Sequence, residues 1–247
     1  MIALRDVSKS FGPLVVLDGF SLEVPSGETV AVVGRSGAGK SVLLKHVAGL
    51  VTPDSGSVEV GGREVTTASR AEVDRIRLEM GYVFQGSALF DSMTVGDNVR
   101  LALRRHGVGE EEVEERVAWS LERVGLGEWA DAYPAELSGG MKKRAGVARA
   151  VAPEPDYLLY DEPTSGLDPV TTSMIDELIV RLKEELDTTG LVVTHDMTSA
   201  YRVADRMALL FGGRIRWTGS PDAFRASEDV AIRAFAEGRR ELWPDEG

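Results

Sequence analysis

Residues 29–41 read TVAVVGRSGAGKS, an uninterrupted apolar run followed by a glycine-rich loop that ends in Lys-Ser. The last eight letters fit the pattern G-x-x-x-x-G-K-[ST], directly after a predicted buried strand and directly before a predicted helix. Glycines there let backbone N–H groups curl around a phosphate, and the helix start adds a positive field. We expect Lys40 to reach the β- and γ-phosphates of a nucleotide and the Ser41 hydroxyl to ligate Mg²⁺. The alternative is an ordinary strand-to-helix turn.

A second stretch narrows the chemistry. Residues 156–168 read DYLLYDEPTSGLD, an apolar strand that ends in two acids. Asp161 would lie where a sheet strand ends, near the phosphate loop, and can hold Mg²⁺ through water. A carboxylate at Glu162 can orient and polarise an attacking water, which makes hydrolysis the expected reaction. The alternative is that Asp-Glu-Pro only opens a loop.

A third stretch, LSGGM at residues 137–141, lies between the other two. Ser138, Gly139 and Gly140 weaken a helix interior, but they suit a helix start that must approach something closely. The sequence therefore predicts that a helix begins here.

The rest of the chain alternates strand and helix patterns. Residues 2–33 are predicted to form strands, residues 57–65 a hairpin that turns at Gly61-Gly62, and residues 94–128 mostly helix. In the helical part apolar residues recur every three to four positions, at Val113, Val117, Leu121 and Val124, with Gly125 as the expected stop. The alternation predicts an α/β fold with a parallel sheet and flanking helices.

Composition excludes several classes of protein. The chain has 247 residues, a formal net charge of −12 and no cysteine, so disulfides and thiolate metal sites are excluded. Such a surface should repel nucleic acid and anionic lipid headgroups. The sequence contains no apolar run near 18 residues and no basic-then-apolar leader. We therefore expect a cytoplasmic protein that binds no nucleic acid and meets a membrane only through a partner.

Four motifs in this order, GRSGAGKS, LSGGM, LLYDEPTSGLD and THD, resemble the ATP-binding subunit of an ABC transporter. The resemblance covers about residues 1–222. It implies an α/β P-loop NTPase fold, the ABC ATPase, with a RecA-like parallel-sheet core, an N-terminal antiparallel β subdomain and a helical subdomain at about 88–150. Residues 223–247 would form a C-terminal helical extension that ends in a frayed tail, WPDEG.

The resemblance also implies the site. Two copies would hold two ATP molecules between them, with the amides of Ser138, Gly139 and Gly140 on the γ-phosphate held by the other copy. Glu162 and His195 would be catalytic, His195 as the switch histidine. Mg²⁺ would be held by Ser41, Gln85 and Asp161. The implied ATP-binding residues are Phe11, which would stack on adenine, with Gly34, Arg35, Ser36, Gly37, Ala38, Gly39, Lys40, Ser41, Val42, Gln85, Ser138, Gly139, Gly140 and Asp161. The alternative for Phe11 is a core residue at a strand end.

Finer features resemble the ATPase of Mce-type lipid transporters, among them FQGSALFDSMTVGDNV, MKKRAGVARA and VTHDM. That resemblance implies a phospholipid cargo, an integral-membrane permease, an Mce-domain substrate-binding protein and a small STAS-domain partner, with the chain on the cytoplasmic face of the inner membrane. Residues 86–100 are predicted to meet the permease through Leu89, Phe90 and Met93. The alternative is that this apolar cluster packs internally.

Three alternative functions share part of this motif set. A P-loop kinase has no use for LSGGM. A soluble ABC ATPase of DNA repair or translation requires a basic surface to bind nucleic acid, and the net charge of −12 argues against one. An ABC motor for amino acids or metals differs only in the finer features.

Overall fold

The computed structural model describes residues 1–239, and the last eight residues of the predicted tail, 240–247, lie outside the described residues. The strands are β1 Ile2–Phe11, β2 Leu14–Val24, β3 Thr29–Val33, β4 Ser55–Val60, β5 Arg63–Glu64, β6 Met80–Val83, β7 Tyr157–Asp161, β8 Thr189–Thr194, β9 Arg206–Phe211 and β10 Arg214–Gly219. The helices are α1 Lys40–Val47, α2 Arg70–Arg77, α3 Val95–Arg105, α4 Glu110–Arg123, α5 Gly139–Val151, α6 Pro169–Leu186, α7 Met197–Val203, α8 Pro221–Arg225 and α9 Val230–Ala236.

The chain divides into two compact units. Residues 1–77 and 189–239 belong to the first, and residues 78–188 form the second. The first unit contains an antiparallel sheet in the order β2-β1-β4-β5. It also contains β3 between its parallel neighbours β8 and β9, with β10 antiparallel to β9. Every residue of β3 is buried, which explains its continuous apolar sequence.

Register in the first unit decides where its loops emerge. Val33 at the end of β3 pairs with Thr194 at the end of β8. The loop after β3 and the residue after β8 therefore leave the sheet at one edge, as the carboxyl ends of parallel strands do.

The second unit pairs β6 with β7 in parallel and surrounds them with longer helices. Helix α4 buries Val113, Val117 and Leu121, which repeat every four residues. It ends just before Gly125, whose φ of 67° permits the left-handed turn that closes the helix. In the same unit Val83 pairs with Tyr160, so the residues after β6 and β7 also emerge side by side.

The structure confirms the predicted α/β class, the strands in residues 2–33 and the hairpin at Gly61-Gly62. Among residues 1–239, no helix combines the length and the apolar character that crossing a bilayer requires. The predicted permease surface needs a correction. Residues 95–100 are the start of α3, where Val95, Gly96, Asn98 and Val99 are buried, so these four residues cannot belong to such a surface.

Candidate functional site

The phosphate loop lies in the first unit between β3 and α1. The Lys40 side chain folds back over the loop, and its Nζ donates hydrogen bonds to the carbonyls of Gly34 at 2.9 Å and Arg35 at 3.0 Å. Only 5% of Lys40 is exposed. A buried ammonium needs such acceptors, because an isolated buried charge is very costly. The lysine is thereby held at the centre of the loop, where the sequence predicts a phosphate.

The positions of this loop require glycine for different structural reasons. Gly37 and Gly39 have φ values of 84° and 98°, which side-chain-bearing residues rarely adopt. A Cβ at Gly39 would lie 2.6 Å from Cγ1 of Val16, and one at Gly34 would lie 2.8 Å from the carbonyl oxygen of Leu210. A Cβ at Gly37 would meet nothing within 4 Å. The loop is thus packed at its two ends and open at Gly37, which fits a cradle that accepts a phosphate from one side.

Two further predicted residues lie in the first unit. Phe11 ends β1 and is 48% exposed, with Nζ of Lys9 5.5 Å from the ring centroid. The alternative of a core residue is therefore wrong, while adenine stacking stays a prediction. His195 is exposed and follows β8 directly, so it lies at the same sheet edge as the phosphate loop. Its backbone position is set by Asp196, whose N–H donates to Thr194 Oγ1 at 3.0 Å and whose carboxylate caps α7.

The acidic pair lies in the second unit at the end of β7. Asp161 and Glu162 are each 7% exposed. The hydroxyl of Tyr82 donates to Asp161 Oδ2 at 3.3 Å, and burial, together with the negative charge of Asp161, raises the pKa of Tyr82. Glu162 has φ = 47°, a left-handed conformation that costs a non-glycine residue about 1–3 kcal/mol. Such strain is typical of functional sites, since the surrounding structure must enforce it.

Gln85 follows β6 in the same unit and lies beside the loop after β7. Its side-chain Nε2 donates to Ser165 Oγ at 3.4 Å. The structure therefore brings the predicted metal ligand Gln85 close to the segment that carries Glu162, as the parallel register of β6 and β7 requires.

The segment of residues 138–140 begins α5, as predicted. Ser138 is the N-cap, and its hydroxyl accepts from the Met141 N–H at 3.3 Å. Within residues 1–239 the N–H groups of Gly139 and Gly140 have no hydrogen-bond acceptor. The first turn of α5 therefore keeps bare donors in the positive field of the helix N-terminus, an arrangement that attracts anions.

The two glycines of this segment differ in what surrounds them. A Cβ at Gly139 would meet only Cδ2 of Leu167, at 3.9 Å, so the fold does not require glycine there. A Cβ at Gly140 would lie 2.5 Å from Cγ2 of Thr171. The sequence interpretation, that both glycines serve an approaching group, is therefore incomplete, because Gly140 also has a packing reason inside the chain.

Sequence reasoning missed one residue of the second unit. Lys143 is 7% exposed, and its Nζ donates to the main-chain carbonyls of Gln85 and of Glu162, the latter at 3.3 Å. A signal was present in the sequence. Lys143 lies four and eight residues before Val147 and Val151, both fully buried, so a helical pattern places this lysine on the buried face of α5.

The fold and the loop define a nucleotide-binding domain of the P-loop class, in which one lysine lies at the centre of a glycine cradle. Residues 17–165 match the family model described as ABC transporter. The chain belongs to the ABC transporter family. As a member of that family it binds ATP with Mg²⁺ and hydrolyses ATP in a reaction coupled to transport.

Curated relatives carry different cargo names. The probable ribonucleotide transport ATP-binding protein mkl of Mycobacterium leprae is 40% identical over 240 residues, which are 97% of this chain and 69% of the relative. The methionine import ATP-binding protein MetN 1 of Rhodopseudomonas palustris is 45% identical over 228 residues, 92% of this chain and 61% of that relative. The chain thus spans about two thirds of the length of these relatives.

A solved structure supports the fold. The dimeric post-hydrolysis state of the ATP-binding cassette MJ0796, bound to ADP and Pi, is similar with a TM-score of 0.82 and 32% sequence identity. The similarity covers 90% of this chain and 99% of that one.

Proposed function

We propose that two copies of this chain close around two ATP molecules and that closure drives a membrane permease. The observation that carries the proposal is the start of α5, where the N–H groups of Gly139 and Gly140 have no acceptor within residues 1–239. A phosphate from a second copy would satisfy them. The dimeric state of the similar cassette MJ0796 supports the same arrangement.

In this proposal the residues of the phosphate loop hold ATP. Lys40 binds the β- and γ-phosphates, and Phe11 supports the adenine. Mg²⁺ would be held by the Ser41 hydroxyl, the Asp161 carboxylate and the side-chain oxygen of Gln85, which are hard oxygen donors of the kind that this ion prefers. No group of three or more acidic or histidine side chains within residues 1–239 could hold a metal alone. That fits Mg²⁺, which usually binds one or two carboxylates together with phosphates and, when bound, neutralises charge on the phosphate oxygens.

Hydrolysis follows from the acidic pair. Glu162 accepts a proton from the attacking water while the water oxygen forms a bond to the γ-phosphorus and the bond to the β-phosphate oxygen breaks. His195 helps to position that water. Buried surroundings support this role for Glu162, since a carboxylate shielded from solvent acts more strongly on a nearby water.

Dimerisation on binding ATP distinguishes this mechanism from that of a kinase, which would stay monomeric. Glu162→Gln keeps the shape of the side chain but removes the base. We expect the variant to bind ATP, to turn over at least about 100-fold more slowly, and to form a stable dimer with ATP–Mg²⁺, which size-exclusion chromatography with light scattering would detect. A variant that stays monomeric with ATP would favour a kinase, and normal turnover would move the catalytic role to another residue.

Residues 86–94 form the proposed permease surface. Hydrogen bonds from two side chains hold the backbone of this segment in place. Arg149 donates to the carbonyls of Ser87 and Ala88, and the buried side chain of Asn98 bonds both the N–H and the carbonyl of Phe90. Phe90 is 52% exposed, whereas Leu89 and Met93 are half-buried. A rigid loop that presents a large apolar ring is suited to docking a partner.

Phe90→Asp tests this surface. We expect ATP affinity to stay unchanged and the permease to stop stimulating ATP hydrolysis, because the charge would lie in an apolar contact. Leu50→Asp is the matched control, since Leu50 is also 52% exposed but lies in the first unit. Equal coupling of all three proteins in a reconstituted complex would contradict the docking surface.

For the cargo we propose a lipid, with the chain peripheral on the cytoplasmic face of the inner membrane and an Mce-domain protein and a STAS-domain protein among the partners. The support is the likeness of FQGSALFDSMTVGDNV, MKKRAGVARA and VTHDM to Mce-type ATPases. The names of the relatives offer ribonucleotide and methionine as rivals. Mass spectrometry of small molecules bound to the purified transporter would decide, and a bound amino acid or nucleotide in place of a phospholipid would overturn the lipid proposal.

A further inference from the structure

Lys143 is a buried cation in the middle of the second unit. It lies on α5, one turn after the Ser138 cap, and its Nζ donates to two main-chain carbonyls that come from two different loops. One carbonyl belongs to Gln85 after β6 and the other to Glu162 after β7. A single side chain therefore joins α5 to both loops that carry predicted site residues.

The contact at Glu162 matters because the backbone there is strained. With φ = 47°, Glu162 occupies a conformation that persists only where neighbours enforce it. The ammonium of Lys143 fixes the carbonyl of this residue, and so fixes the direction in which the carboxylate leaves the chain. The contact with the Gln85 carbonyl likewise fixes the backbone of the loop after β6. The Gln85 side chain itself donates to Ser165 Oγ at 3.4 Å.

The ammonium of Lys143 is held by protein groups in place of water. Burial lowers the pKa of the Lys143 ammonium, and the nearby carboxylates of Glu162 and Asp161 offset only part of this effect. The two carbonyls take the place of water around the ammonium, which a buried charge requires.

We propose that Lys143 is a positioning residue for ATP hydrolysis, which holds the Gln85 loop and the Glu162 turn in one fixed arrangement. The inference rests on the proposed function, because it assumes that Glu162 orients the attacking water. Lys143 itself touches neither water nor phosphate in this account. It acts through the backbone of Gln85, which is proposed to hold Mg²⁺, and of Glu162, which is proposed to orient the water. Small displacements of such residues lower the rate strongly.

The neighbouring cation on α5 provides a matched control. Arg144 also donates to two main-chain carbonyls, those of Val124 at 2.8 Å and Gly125 at 3.2 Å. These carbonyls close the end of α4 and carry no predicted site residue. Lys143→Met and Arg144→Met therefore remove the same kind of contact from adjacent positions, and only the first touches the site.

The experiment compares kcat, the KM for ATP, the Mg²⁺ concentration at half-maximal rate and the melting temperature of both variants. We expect both variants to have a lower melting temperature than the wild type. Lys143→Met should lower kcat by about tenfold or more, and raise the Mg²⁺ requirement, with less than about a twofold change in the KM for ATP. Arg144→Met should keep kcat within about twofold. Equal kcat in the two variants at equal loss of melting temperature would show that Lys143 is only structural.

Two further variants keep the test decisive. Lys143→Gln retains an N–H donor without the charge, and we expect a kcat between those of wild type and Lys143→Met. Should Lys143→Met not fold, a wild-type kcat in Lys143→Gln would overturn the inference, and a reduced kcat with an unchanged KM would support it. Glu162→Gln is measured in parallel. If it turns over normally, the proposed function fails, whereas a slow Glu162→Gln beside a fully active Lys143→Met defeats only the role of Lys143.

Discussion

The phosphate loop of the first unit and the signature segment of the second, residues 138–140, are both glycine-rich helix starts, yet they are built in opposite ways. In the loop, Lys40 is buried and bonded to two carbonyls of its own loop, and Gly34 and Gly39 are packed against neighbouring strands. In the segment, Gly139 is exposed, surrounded by free space, and its N–H has no acceptor within residues 1–239.

Backbone conformation and packing separate the glycines that the fold needs from those that a ligand needs. Positive φ and close contacts account for the loop glycines without any ligand, so the loop is preformed. Gly139 has neither, so the fold does not account for it, and we propose that it serves a phosphate held by a second copy. Gly140 is intermediate, because Thr171 already fills the space of a side chain there.

The largest effect is expected from Lys40→Ala. Removing the ammonium deletes charge-assisted bonds to phosphate, so ATP should bind about 100-fold or more weakly. Titration calorimetry measures this directly. Lys45→Ala is the control, since Lys45 lies on the same helix but is exposed. Micromolar ATP binding retained by Lys40→Ala would contradict the cradle.

Gly139→Ala should separate activity from stability. The added methyl has room in the fold, and alanine favours helix over glycine by about 1 kcal/mol, so the melting temperature should stay or rise. Because the methyl would obstruct a phosphate from a second copy, ATP hydrolysis should fall by about tenfold. Full activity together with ATP-dependent dimerisation would show that this side of the helix start faces no ligand.

Gly140→Ala should act first on stability. Its methyl would meet Cγ2 of Thr171, whose rotamer is held by a hydrogen bond from its hydroxyl to Asp168 at 2.5 Å. We expect a loss of about 1 kcal/mol in the free energy of unfolding, as overpacking outweighs the gain in helix propensity. The double variant with Thr171→Ser, which removes that methyl, should recover it in urea titrations. No recovery would place the cost elsewhere.

The smallest expected effect is a loss of folding stability at low pH. His46 lies on α1 behind the phosphate loop and is fully buried, with Nδ1 2.8 Å from the carbonyl oxygen of Val51. Burial lowers the pKa of His46. The folded state therefore binds this proton less readily than the unfolded state does, so stability is complete above about pH 6.5 and is lost as the pH falls below it.

Helix α5 contains no histidine, which makes the acid effect local. In hydrogen exchange, amides of α1 should lose protection between pH 7.5 and 5.5 more than amides of α5. His46→Gln, which has no proton to gain, should flatten the pH dependence of the unfolding free energy. An equally steep dependence in the variant would assign the effect to other groups.

Local patterns predicted most of the fold. The buried run of β3, the Gly61-Gly62 turn, the four-residue repeat of α4 and the helix start at Ser138 each depend on neighbours in sequence, and each is confirmed. The prediction of a permease surface is wrong for Val95, Gly96, Asn98 and Val99, because these residues lie on the buried side of α3.

The site could be predicted only where a motif is contiguous. The contacts of Lys143 with Gln85 and of Gly140 with Thr171 join residues 58 and 31 positions apart, and no local pattern contains both partners. The left-handed backbone of Glu162 likewise depends on what surrounds the strand end, since glutamate has no preference for that conformation.

The central claim is that residues of two chains together form the binding site for the terminal phosphate of ATP. A crystal structure of the Glu162→Gln protein with ATP and Mg²⁺ tests it most directly. The account predicts that the N–H groups of Gly139 and Gly140 of one copy contact the γ-phosphate held by Lys40 of the other. Residues 138–140 facing solvent, far from any nucleotide, would contradict it.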